Sequence, residues 1–120
     1  MMQKEINKIK YIAEEIMDIP FGSIDSKKRH RHISLARMVV GAFIICELEI
    51  DIAKASRLMK RDRTSFYFYK RKHKLYMSDK RIYPDYNKLY ELVYDRYMSS
   101  SDSIFKNKDT ISWFEQLDKI

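Results

Sequence analysis

The chain has two glycines, two prolines, one cysteine and one tryptophan in 120 residues, and each scarcity removes a class of protein. Sandwiches and barrels need many glycine- and proline-bearing turns. Their shortage, beside long periodic apolar runs, predicts an all-α protein. Gly22 and Gly41 alone cannot build a phosphate-cradling loop, and no G-x-x-x-x-G-K-[ST] occurs, so an ATPase module of that kind is excluded. Cys46 has no partner for an internal disulfide, which fits a reducing cytoplasm. Within its apolar run it reads as a small core residue rather than a nucleophile, because reactive thiols need electropositive, partly exposed surroundings. The apolar run at 38–46 is too short to span a bilayer, and Glu5 among lysines does not make a signal-peptide core. No membrane association is expected.

Acidic residues are also missing, but only locally. Residues 26–37 carry five Lys/Arg and no acid, and residues 54–74 carry nine and one acid. These segments hold +5 and +8 of a net +7, so the rest of the chain is −6. A merely solvated surface would intersperse the two signs. Two concentrated basic segments on an otherwise acidic chain indicate a surface that meets a polyanion.

What is present fits one domain over residues 1–98, with 99–120 as a linker and amphipathic tail. Residues 3–18 place Ile6, Ile9, Ala13 and Ile16 on one helical stripe that ends before Pro20, followed by a turn at 21–25 in which Gly22 can take positive φ. The run 26–32, SKKRHRH, has no apolar residue and predicts an exposed basic loop. Ser34 is the expected cap of a central helix over 35–48, with Leu35, Met38, Val39, Ala42, Ile45 and Cys46 on one side and Arg37 in its first turn. There a cation opposes the helix dipole, a placement that an adjacent phosphate would reverse.

Asp51 is expected to cap a short helix at 52–58, with a tight turn at 59–61 and a basic helix capped by the Asp62 carboxylate. Short helix, turn and basic helix make the helix-turn-helix layout, in which the start of the second helix can reach base edges in a major groove. Phe66, Tyr69 and Tyr76 form that helix's buried stripe, while Thr64, Ser65, Arg71 and Lys72 stay polar. Pro84 opens a last helix carrying Tyr86, Leu89, Tyr90, Val93, Tyr94 and Tyr97 at helical intervals. The serine-rich stretch 99–103 reads as a linker to a tail with Ile104, Phe105, Ile111, Trp113, Phe114 and Leu117.

Ser26-Lys27-Lys28-Arg29-His30-Arg31, then Ala36-Arg37, then Arg61-Asp62-Arg63-Thr64-Ser65 resemble, in order and near spacing, the SKRRSR, ARxxA-type and GGRDHTT motifs of the DNA-binding C-terminal domain of the bacterial replication initiator DnaA. The likeness covers residues 6 to about 76. It implies a helix-turn-helix bundle of the DnaA C-terminal or Trp-repressor type, with extra C-terminal helices, that binds double-stranded DNA. By the same resemblance Arg29 enters a minor groove, Asp62, Arg63 and Thr64 read bases, and Arg37 and Ser65 hold phosphate. With the basic run and helix, the candidate DNA contacts are Lys28, Arg29, Arg31, Arg37, Arg61, Asp62, Arg63, Thr64, Ser65 and Arg71. The chain departs from the family where Arg63 stands for histidine and where Lys60 alone replaces the Gly-Gly. Without the initiator's ATPase module, the resemblance implies a replication accessory or transcription regulator in a bacterial cytoplasm, with a phage or other mobile element as one source.

Other chemistries are weaker. His30, His32 and His73 lack the acid or cysteine that would complete a zinc set, and Tyr67 or Tyr69 lacks the His/Asp cluster a nucleophile needs, so neither an enzyme nor a cofactor is expected. The alternative reading is an interaction module whose basic face binds RNA or an acidic protein. A protein partner could also meet the tyrosine-rich helix or the tail. Single-strand binders expose aromatics for stacking, whereas here the aromatics read as helix stripes with the basic residues off them, which favours a duplex.

Overall fold

The computed structural model describes residues 2–102, and side chains over 3–99. It is all-helical over those residues: α1 (Met2–Met17), α2 (Arg31–Cys46), α3 (Ile52–Met59), α4 (Arg63–Ser78) and α5 (Pro84–Asp102). The apolar stripes explain the assembly. Ile6, Ile9, Ile12 and Ala13 of α1 are buried, as are Val39, Val40, Ala42, Phe43 and Ile44 of α2, Ala55 and Met59 of α3, Phe66 and Tyr69 of α4, and Tyr86, Leu89 and Val93 of α5. Helix α2 is apolar almost all round and packs against each of the other four, so it forms the core of the bundle. Burial of these side chains, roughly 1.5 to 3 kcal/mol for each Val, Leu, Ile, Met or Phe and less for each alanine, is the main driving force of the fold.

Glycine scarcity has a visible cost. Left-handed residues end or follow helices at Asp18, Glu49 and Lys60, with φ of 56°, 55° and 55°. After α1, the amide of Asp18 bonds to the Glu15 carbonyl and that of Ile19 to the Glu14 carbonyl; after α3, Lys60 and Arg61 bond likewise to Arg57 and Ser56. This is the Schellman closure, in which glycine usually sits at the left-handed position. Gly22, at φ 93°, is the one glycine used for a turn. Gly41 serves packing instead: a Cβ there would fall inside contact distance of the Tyr69 ring, so its absence lets α4 lie close on α2.

Several local expectations are corrected. Helix α2 begins at Arg31, not after Ser34. Its cap is His30, whose Nδ1 accepts from the His32 amide at 3.3 Å, while the Ser34 amide is already bonded to the His30 carbonyl. A run without apolar residues can still start a helix when an imidazole nitrogen takes up a free amide. Asp62 occupies the backbone cap position of α4, but its carboxylate makes no cap hydrogen bond. Cys46 is exposed in the last turn of α2 rather than buried, and partial burial followed by the Glu47 charge pushes its thiol pKa up. Residues 99–102 continue α5 instead of forming a linker. The remaining tail, 103–120, lies outside the described residues.

Candidate nucleic-acid interface

The two basic segments meet at the turn between α1 and α2. That turn is held from three sides. The Glu14 carboxylate accepts from the amides of Gly22 (2.9 Å) and Ile24 (3.1 Å), and Lys10 pairs with Asp25 at 3.0 Å. From α2, Arg37 donates through Nε to the Ile24 carbonyl (3.0 Å) and through Nη2 to the carbonyls of Ser26 (2.8 Å) and Lys28 (3.2 Å). From the turn before α4, Arg61 Nη2 donates to the same Ile24 (3.1 Å) and Ser26 (2.9 Å) carbonyls. One stretch of backbone therefore ties the start of the basic run to the start of α4.

Arg37, expected in the first turn of the central helix, stands elsewhere and has protein partners. It lies in the second turn of α2, only 8% exposed, with its guanidinium committed to carbonyls. Burial, and then the charge of Arg61, hold its pKa below the ordinary value. Neither arginine forms a salt bridge among the described residues. Two cations thus share neutral acceptors, with the Asp25 carboxylate acting favourably on Arg37 without an ion pair. The first-turn cation that opposes the α2 dipole is Arg31, and it is exposed.

Around this clasp the other expected contacts lie open. Lys27, Lys28, Arg29, His30 and Arg31 are exposed, as are Asp62, Arg63, Thr64 and Arg71; Ser65 is half-buried. Thr64 and Ser65 face Ser34 and Arg37 across a shared concavity of about 420 Å³. With no side-chain cap on α4, the Asp62 carboxylate keeps its acceptors available. Helix α4 carries five Lys/Arg and no acid.

Two aromatic residues on this helix escape the stripe reading. Phe66 and Tyr69 are buried, but Tyr67 is 55% and Phe68 40% exposed. Residues 64, 67, 68 and 71 share the outward arc at i, i+3, i+4 and i+7, and that spacing, taken opposite Phe66 and Tyr69, is the signal that would have found them. The Lys72 ammonium lies 5.5 Å from the Phe68 ring centre.

The histidines do not converge. His30 and His32 touch edge to face at the α2 start, while His73 packs between helices, its Nδ1 2.9 Å from the Tyr86 hydroxyl and its ring against Tyr90. Among the described residues no three His, Cys, Asp or Glu side chains are grouped to hold a metal ion, and no helix is long and apolar enough to cross a membrane. Compared with known proteins, the chain matches no family model, no curated protein and no solved structure.

Proposed function

We propose that this protein binds double-stranded DNA in a sequence-dependent manner, as a replication accessory or transcription regulator resembling the DNA-binding domain of DnaA. The observation that carries the reading is the clasp. Arg37 and Arg61, sharing the Ile24 and Ser26 carbonyls, hold an exposed basic run beside the exposed start of a helix that has no side-chain cap bond and no acid within it. The loop residues Lys28 and Arg29 fit a narrow minor groove, and a helix opening on Asp62, Arg63 and Thr64 fits the adjoining major groove. Asp62 accepts from cytosine N4, Arg63 donates to guanine, and the Thr64 methyl meets a thymine methyl. Each good bidentate pair discriminates by about 1 to 3 kcal/mol. Arg37 contributes by shaping the loop, and the phosphate contacts pass to Arg31, Arg71 and the amides of the α4 start.

The reading is tested by fluorescence anisotropy on a duplex bearing a DnaA-type box, a scrambled duplex and the single strand, each over a salt series. Box preference at physiological salt supports it, with Arg29→Ala and Thr64→Ala narrowing the preference. Tighter binding to the single strand would overturn it. Steep, equal binding to both duplexes would leave a phosphate-directed binder whose own site is found by selection from random duplexes.

A further inference from the structure

The outward arc of α4 is not purely polar. Behind Thr64, one turn along, stand Phe68 and Tyr67, both open to solvent on a helix that carries five Lys/Arg and no acid. Phe68 lines the same concavity as Thr64, Ser65, Ser34 and Arg37, so its ring borders the surface assigned to DNA rather than a separate apolar face. Its edge rests on Tyr69, centroids 6.2 Å apart, and Lys72 lies near its face, so the ring is supported rather than loose. A phenyl group has no hydrogen bond to offer a base. In a major groove, the feature an apolar side chain can distinguish is the 5-methyl group of thymine.

Resting on the duplex-binding reading above, we propose that Phe68, together with the methyl of Thr64, forms an apolar reader of a thymine 5-methyl group in the major groove. The surrounding charge selects the polyanion, and the ring selects a methylated pyrimidine within it. Tyr67, on the same arc, carries a hydroxyl and lines a second concavity with Arg63 and Lys70, so of the two exposed rings methyl reading is assigned to Phe68.

The test replaces each thymine of the best duplex selected from a random library with deoxyuridine, which removes only the methyl. Wild type is expected to lose about fourfold in affinity at one position, the weight of one buried methyl. Phe68→Ala should reduce the thymine–uracil difference there to the part the Thr64 methyl retains, Phe68→Leu should keep more of it, and Phe68→Ala combined with Thr64→Ser should abolish it. Uracil discrimination that is undiminished in Phe68→Ala, or none in wild type at any position, overturns the proposal while leaving duplex recognition standing. Single-strand binding that is tighter than duplex binding and lost in Phe68→Ala would make the ring a stacking platform, overturning both. A selection that enriches no sequence also removes both. Because Phe68 is 40% exposed and rests on Tyr69, the alanine variant is expected to lower the unfolding midpoint modestly. Binding is therefore compared well below both midpoints, where an unchanged affinity for a scrambled duplex separates contact from folding.

Discussion

Arg37 shows how residue type and residue role can part. An arginine in an apolar helix looks like a surface cation, yet its acceptors are carbonyls 9 to 14 positions earlier in the chain. Hydrogen bonds to charged donors are worth about 1.5 to 3 kcal/mol each, and buried carbonyls left open carry a similar penalty. Arg37→Ala is therefore expected to lower stability by about 2 to 4 kcal/mol in urea denaturation and to open the Lys27–Arg29 bonds to trypsin. An unchanged midpoint with a shallower salt slope for DNA would return Arg37 to a phosphate role. His73 offers a second residue-scale check. Burial lowers its pKa, with Glu47 acting in the opposite sense, so folding favours the neutral ring. Its contribution is full above the unfolded value of about 6.5 and is lost as pH falls through the lower folded value. His73→Gln should flatten the stability profile on the acid side of pH 6.5, read by urea midpoints at several pH values.

At the scale of the helix, periodicity was readable and termini only in part: Asp51 caps α3 and Pro84 opens α5 as the sequence implied, whereas the starts of α2 and α4 differ. Ile6, Ile9 and Ala13, or Phe66 and Tyr69, announce their faces because apolar side chains have one favourable direction. Caps depend on single bonds that compete. Ser34 loses the cap to His30, and Asp62 keeps the position without the bond. The clasp was unreadable for a different reason, since it joins carbonyls, which have no sequence signature, to side chains distant in the chain. The left-handed Lys60 is a stability reserve: Lys60→Gly should raise the urea midpoint, by about 0.5 to 1 kcal/mol in free energy. Gly41→Ala should act in the opposite direction despite the better helix propensity of alanine, costing roughly 1 to 3 kcal/mol as the Tyr69 ring is displaced.

Across the whole molecule, four of the nine tyrosines are buried, two are partly buried and three are exposed. Tyr69, Tyr86, Tyr90 and Tyr97 are buried, and burial raises each pKa, for Tyr97 up to about 12 with the Glu5 hydrogen bond adding to it. The Tyr90 hydroxyl donates to Glu47 at 2.8 Å and that of Tyr97 to Glu5 at 2.6 Å, so the α5 tyrosines are tied to the ends of α2 and α1. Raised folded values mean stability that is full below about pH 10 and lost above it. Ultraviolet titration should show these four ionising only together with loss of helical circular dichroism, after the exposed tyrosines. The clasp at Ile24 and Ser26 has its own consequence for the whole. Its donors are guanidiniums and its acceptors are peptide carbonyls, so no proton gained or lost across the physiological range can undo it. Whatever approaches this face meets a width already set at folding. Recognition there would behave as a gauge, rejecting a mis-spaced partner outright instead of bending to accommodate it.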